Sequence, residues 1–178
     1  MQEHQHRKIA IGSDHAGYRY KELVRELLDR AGLPYQDFGA YSEESTDYPD
    51  YALAVSKAVA SGQCCCGILI CGTGIGMSLV ANKVPGIRAA VCNDTYTARV
   101  SRLHNDANVL CLGGRVVGVE VMLEIVRTWI ATPFSGEERH VSRIQKLKKV
   151  EEAYLCAPGI FNEAEASLET AQADSCDG

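Results

Sequence analysis

Gly67-Ile-Leu-Ile-Cys71, followed at once by Gly72-Thr-Gly-Ile-Gly76, is the stretch that decides the fold. Its first five residues show almost no polar alternation, the pattern of a strand buried on both faces, and such strands belong to parallel sheets covered by helices on either side. Parallel neighbours can be joined only by crossovers, so strands and helices must alternate along the flanking chain. The sequence does alternate in this way. Upstream, Lys8-Ile-Ala-Ile-Gly12 reads as a strand, Tyr18 to Ala31 as a helix with Leu23, Val24, Leu27 and Leu28 at helical spacing, and Gly32 as its C′ stop. Pro34 to Phe38 reads as a second strand and Tyr51 to Ser61 as a second helix. Downstream come helices at Ile75 to Lys83, Asp94 to His104, Gly118 to Ala131 and Arg139 to Tyr154, with strands at Arg88 to Val91 and Asn108 to Leu112. Five strands in this rhythm predict a single α/β domain over residues 1–154, a doubly wound, Rossmann-like five-stranded parallel sheet with helices on both faces. Ligands in such sheets bind where strands end and helices begin, here just after Gly12, Cys71, Val91 and Leu112.

Length and composition narrow the function classes. The chain has 178 residues, 46% of them apolar, enough for one core and too few for a second catalytic domain. No run approaches the roughly 18 uncharged apolar residues of a spanning helix, and Met1 to Lys8 is polar, so neither a membrane span nor a signal peptide is expected. Eight cysteines would suit a secreted disulfide scaffold, but Cys64, Cys65 and Cys66 are consecutive and cannot bridge one another without severe strain. They read as thiols of a reducing cytoplasm. The net charge of −5 resides entirely in Leu155 to Gly178, which holds Glu163, Glu165, Glu169, Asp174 and Asp177 and no Lys or Arg. Residues 155–178 are therefore expected to form an acidic, weakly ordered tail, and the neutral body before it suits neither nucleic acid nor an anionic membrane.

Four constellations could carry chemistry. Gly12-Ser-Asp14-His15-Ala-Gly17 has the glycine spacing of a Walker A loop, but Tyr18 and Arg19 stand where Lys and Ser or Thr are needed, so a nucleoside triphosphate is not expected. Asp14 reads equally as a helix N-cap, with His15 on the surface. The Gly72–Gly76 loop lacks the third glycine of a dinucleotide fingerprint, having Met77 there, and follows the third strand rather than the first. It reads better as a set of exposed N–H groups at a helix N-terminus, suited to an oxyanion. Cys71 faces those groups, which would favour its anionic sulfur; the competing reading is inert core packing. His104-Asn105-Asp106 ends a helix, where a histidine also serves as a simple partner for the helix dipole. Arg139 and Arg143, four residues apart, could clamp a phosphate or form a solvated face. No Cys/His spacing resembles a zinc site, and no metal or other cofactor is implied.

Taken together, the motifs Gly-Ser-Asp14-His15-Ala-Gly, Thr46-Asp47-Tyr48-Pro49, Ile70-Cys71-Gly-Thr73-Gly-Ile-Gly76, Ala81-Asn82-Lys83, Ser101-Arg102-Leu-His104-Asn105-Asp106, Gly114-Arg115 and Arg139-His-Val-Ser-Arg143 give the chain from Lys8 to Tyr154 a close resemblance to the ribose-5-phosphate isomerase B family, which also includes allose-6-phosphate and galactose-6-phosphate isomerases. The resemblance implies an aldose–ketose isomerase of the pentose phosphate pathway, working through an enediolate without metal or nucleotide. It implies that Cys71 is the base moving a proton between C1 and C2, as in the family's thiol branch. Thr73 with the N–H groups of Gly74 and Gly76 would stabilise the enediolate oxygen, and Gly72 and Ile75 would line the same loop. His104 would open the furanose ring, Asp14, Tyr48 and Asn105 would hold sugar hydroxyls, and His15, Arg115, Arg139 and Arg143 would bind phosphate. It further implies a homodimer or dimer of dimers, in which His104, Asn105 and the arginines reach a site whose Cys71 belongs to the other subunit. The Cys64–Cys66 triplet and the acidic tail are not family signatures. Two alternatives remain at this stage, a 6-phosphohexose isomerase and a non-catalytic sugar-phosphate-binding module, although every polar residue of the implied site is present.

Because Ile160, Phe161 and Leu168 are its main large apolar residues, the tail can bury little surface against the cost of ordering. Deleting Pro158 to Gly178 is expected to shift the melting temperature by less than a few degrees and to leave turnover unchanged; a larger drop in a thermal scan would show that the tail docks.

Overall fold

Strand β3 (Cys66–Cys71) is the central strand of the sheet in the computed structural model, which describes residues 8–155. On one side it pairs with β1 (Ile9–Ser13), beyond which lies β2 (Tyr35–Asp37); on the other it pairs with β5 (Val109–Gly113), and β4 (Ala89–Val91) forms the far edge. All four pairings are parallel, giving the order β2-β1-β3-β5-β4. Ser13 is level with Ile70, and Cys71 with Gly113, so β1, β3 and β5 end along one line. The helices are α1 (Tyr18–Arg30), α2 (Tyr48–Ala60), α3 (Ile75–Ala81), α4 (Thr95–Asn105), α5 (Val119–Ala131) and α6 (Glu138–Tyr154). No helix among the described residues is long and apolar enough to cross a membrane. The expected tail begins at Leu155, and residues 156–178 lie outside the described residues.

Successive strand residues face opposite sides, and each side has its own core. Ile9 and Ile11, Ile68 and Ile70, and Leu110 and Leu112 pack under α1 and α5 with Leu28, Met122 and Trp129. Ala10, Leu69, Cys71, Val109 and Cys111 face the other way, under α2 and α3 with Val55 and Met77. Both faces are apolar because both are covered, which is why the central strands lack polar alternation.

Element ends differ from the sequence reading where local chemistry decides them. Helix α2 begins at Tyr48, three residues early, because Pro49 sits in its first turn, where the missing N–H costs nothing. Asp94 lies outside α4 as its N-cap, its Oδ1 accepting the Thr97 N–H at 2.7 Å. Helix α1 stops as expected: Gly32, at φ 65°, donates to the Asp29 carbonyl while Leu33 donates to that of Leu28, the paired bonds of a Schellman turn. Asp14 does not cap α1, whose N-cap is Gly17; the Asp14 carboxylate instead accepts the Gly17 N–H at 2.9 Å and closes the turn ahead of the helix.

Between β1 and β3 the sheet reverses its direction of growth, which opens the crevice where doubly wound folds bind ligands. Gly17 sets the closeness of the α1 start to that crevice. A Cβ built on it would lie 2.2 Å from the Ile70 carbonyl oxygen, and neither partner can yield because both are backbone. Gly17→Ala is therefore expected to cost about 3 kcal/mol in urea unfolding, whereas Gly32→Ala, with nothing within 4 Å and only a left-handed φ to sustain, is expected to cost about 1 kcal/mol. Equal costs would remove the steric account of Gly17.

Candidate active site

The loop after β3 is shaped by Gly74. Its φ of 78° turns its N–H back onto the Cys71 sulfur at 3.1 Å, and a Cβ there would come within 3.1–3.3 Å of the Cys111–Leu112 backbone. Glycine is thus required twice, for the left-handed conformation and for the space. The Cys71 side chain is 5% exposed at the C-terminal end of β3, with its sulfur accepting a backbone N–H. Four other cysteines sit where the environment favours the neutral thiol: burial pushes Cys64, Cys92 and Cys111 up, and the hydrogen bond to Cys65, ahead of burial, does the same to Cys66. Thr73 is exposed beside the loop, its hydroxyl accepting the Ile75 N–H at 3.3 Å.

Several expected site residues gather around this loop because their strands end level. Gly114 and Arg115, just past β5, donate to the Cys71 and Gly72 carbonyls at 2.8 and 3.0 Å. The Arg115 side chain then lies along Gly72, where a Cβ would meet its Cδ at 3.5 Å. The Tyr48 ring covers Gly76 so closely that a Cβ there would reach Cζ at 2.8 Å. From the end of β1, Asp14 is almost fully buried and His15 half-buried. His15 Nδ1 lies 3.2 Å from both the N–H and the carbonyl oxygen of Thr46. The N–H donates to Nδ1 when that nitrogen is bare, and Nδ1–H donates to the carbonyl when it carries a proton. Nothing in the sequence signalled this clasp, since it uses backbone groups that any residue would supply.

The remaining four residues lie at the opposite edge of the sheet in the same chain. His104 and Asn105 end α4 ahead of the first residue of β5, whereas Cys71 is level with the last. The strand between them spans about 13 Å at ~3.3 Å per residue. At this lower edge His104, Asn105 and Arg143 line a groove of about 700 Å³ with Lys83, Arg88 and Ile144. Arg139, one turn before Arg143 on α6, is exposed and paired with Glu137 at 2.8 Å. One chain therefore presents two clusters: a thiol with a backbone N–H on its sulfur and Arg115 above, and a histidine, an amide and two arginines below.

Comparison with known proteins bears on what these clusters do. A family model described as ribose/galactose isomerase matches residues 9–147. Ribose-5-phosphate isomerase B of Escherichia coli is 48% identical over 147 residues, covering 82% of this chain and 97% of that protein. Among solved structures, ribose-5-phosphate isomerase B of Clostridium thermocellum superposes with a TM-score of 0.81 at 54% identity, covering 83% of this chain and 99% of that one. The type B ribose 5-phosphate isomerase of Trypanosoma brucei gives 0.79 at 52% identity, with 82% and 99% covered. The match spans all five strands and both clusters as far as Leu147, and the chain belongs to the ribose/galactose isomerase family.

Proposed function

We propose that this chain is an enzyme interconverting ribose 5-phosphate and ribulose 5-phosphate, with Cys71 as the proton-transfer base. The observation that carries the reading is the Cys71 sulfur held at 3.1 Å from the Gly74 N–H, in the loop that leads into α3. Aldose–ketose isomerisation needs a base that removes the C2 proton of the aldose and returns it to C1, and donors for the negative oxygen of the enediolate between them. The Cys71 sulfur supplies the base, and the backbone of the Gly72–Gly76 loop the donors. The similar proteins named ribose-5-phosphate isomerase B support the pentose substrate over a 6-phosphohexose and over a binding module without catalysis.

Other roles follow from chemistry and reach. Thr73, Gly74 and Gly76 hold the developing oxyanion, Gly72 and Ile75 complete the loop around the sugar, and Asp14 and Tyr48 bond its hydroxyls. His15 and Arg115 face the same space and suit a phosphate. A ring-closed pentose phosphate must also be opened, which His104 can do as acid and base at the ring oxygen, with Asn105 on a neighbouring hydroxyl. Since His104 and Cys71 lie at opposite edges of one sheet, both reach one substrate only if a second copy brings its lower edge to the first copy's upper edge. Their separation thus supports a homodimer, alone or within a dimer of dimers, with Arg139 and Arg143 closing on phosphate from the second copy. On its cysteine usage the enzyme is assigned to the cytoplasm.

Removing the base should remove chemistry and spare binding. Cys71→Ala is expected to lower kcat about 10²- to 10⁴-fold while the folded protein retains its affinity for ribose 5-phosphate in calorimetry. Cys71→Ser is expected to be nearly as slow, and joint replacement of Cys64, Cys65 and Cys66 by Ser to keep most activity. Near-normal turnover in a folded Cys71→Ala protein would strike the thiol from the mechanism.

The shared site has its own test. Arg143→Ala is expected to raise KM about 10- to 100-fold, the loss of a charge-assisted bond of roughly 1.5–3 kcal/mol. Co-expressing Arg143→Ala and Cys71→Ala chains should then return about a quarter of wild-type activity, since half the random dimers are mixed and each mixed dimer has one intact site of two. Isolated mixed dimers with no recovered activity would mean that both residues serve a site within one chain.

A further inference from the structure

Behind His104 lies a contact that the mechanism above does not use. Ser135, in the turn between α5 and α6, ties two helices together: its N–H donates to the Leu103 carbonyl at the end of α4 at 3.2 Å, and its Oγ lies 2.8 Å from Nδ1 of His140 in the first turn of α6. The Glu137 N–H donates to the same Oγ at 3.3 Å, so the hydroxyl is fixed before it meets the ring. His140 is only 2% exposed, and its ring lies against that of His104, with centroids 4.4 Å apart and planes inclined by 38°. His104 itself is exposed, and its side chain forms no hydrogen bond with the described residues.

We propose that His140, locked by Ser135, is a positioning residue that orients the His104 imidazole for proton transfer at the sugar ring oxygen. The inference rests on the isomerase reading, in which His104 opens the furanose. An exposed histidine on the last turn of a helix samples several rotamers, whereas proton transfer needs its nitrogen within about 0.5 Å and 10–20° of one geometry. A buried ring packed against one face of the imidazole removes the rotamers that would swing across it, and the Ser135 bond stops that buried ring from turning. Charge acts in the same direction. The charged and titratable groups around His140 are His104 from α4 and Glu137, Arg139 and Arg143 from α6 and its lead-in turn. Burial first, and then the positive groups at His104, Arg139 and Arg143, push His140 below its ordinary value, against an opposing pull from Glu137. A neutral His140 lets His104 accept a proton without an imidazolium pressed against it. The sequence shows His140 only as a neighbour of two arginines; its role depends on where α4 ends.

A double-mutant cycle on the full-length protein, assayed with ribose 5-phosphate, separates action through His104 from mere support of the fold. His140→Ala and Ser135→Ala are each expected to lower kcat about tenfold with KM changed less than threefold. Added to His104→Ala, which retains the slow turnover of open-chain sugar, neither should lower kcat further. Where His140→Ala melts more than 10 °C below wild type, the gentler Ser135→Ala carries the cycle. A tenfold loss that recurs undiminished in the His104→Ala background would overturn the proposal, as would a rise confined to KM, which would assign His140 to the arginines beside it. The wild-type protein assayed in parallel distinguishes the two levels: isomerisation of ribose 5-phosphate by wild type with multiplying His104 and His140 effects removes the positioning role alone, and no isomerisation by wild type removes the isomerase reading and this role with it.

Discussion

The short reach from the Gly74 N–H to the Cys71 sulfur is the constraint from which the upper cluster follows. It exists because β3 ends at Cys71 and the chain must enter α3 within three residues, a turn that only a left-handed Gly74 completes beside the Cys111–Leu112 backbone. The same turn starts α3 and brings Gly76 under the Tyr48 ring. A thiol buried in a sheet ordinarily loses its charge to desolvation, as Cys111 does on the adjacent strand. At Cys71 the backbone supplies a donor where burial removes water. The residue belongs to the core, packed with Met77 and Leu69, and its sulfur meets the loop.

The level ends of β1, β3 and β5 make one chain's upper edge a thiol with a backbone N–H on its sulfur, a clasped histidine and an arginine. The reversed run of α4 sends His104 and Asn105 to the lower edge, where α6 adds its arginines. A helix that crosses over a parallel sheet must run against the strands, so residues at its C-terminal end can never meet residues at the strand C-termini of the same sheet. The separation of the two clusters within one chain is thus a consequence of the fold class.

Charge is placed to serve these geometries. Lys21 on α1 is fully buried, yet its ammonium meets both Asp37 oxygens at 2.6 and 2.8 Å and is flanked by the Tyr18 and Tyr41 rings. The pair fastens α1 to the end of β2, from which the chain runs on to Thr46 and Tyr48. Lys21 also lies 3.4 Å from Glu22 and Asp37 3.4 Å from Arg25, so the pair is the centre of a small charge network and acts as a fixed joint more than as a source of net stability.

Strand and helix order, the covered parallel sheet and the Gly-rich loop with its thiol were all legible in the sequence, because each rests on periodicity or on a residue type with one strong preference. Gly67 to Cys71 could only be a strand buried on both faces, Gly32 could only end a helix, and the polar residues after Gly12 and Cys71 marked the crevice. Element ends were less legible where a side chain could act in two ways: Asp14 looked like a cap and closes a turn instead, while Pro49 sits inside a helix that seemed to start after it. Only the tertiary structure decided what met what. The Thr46 clasp on His15, the Lys21–Asp37 joint and the Ser135–His140–His104 stack join residues from separate elements through backbone groups or ring faces that leave no local signature. The chain fixed which chemistry was available, and the geometry of the sheet decided which groups could act together, because distance across a fold depends on strand direction and not on spacing in sequence.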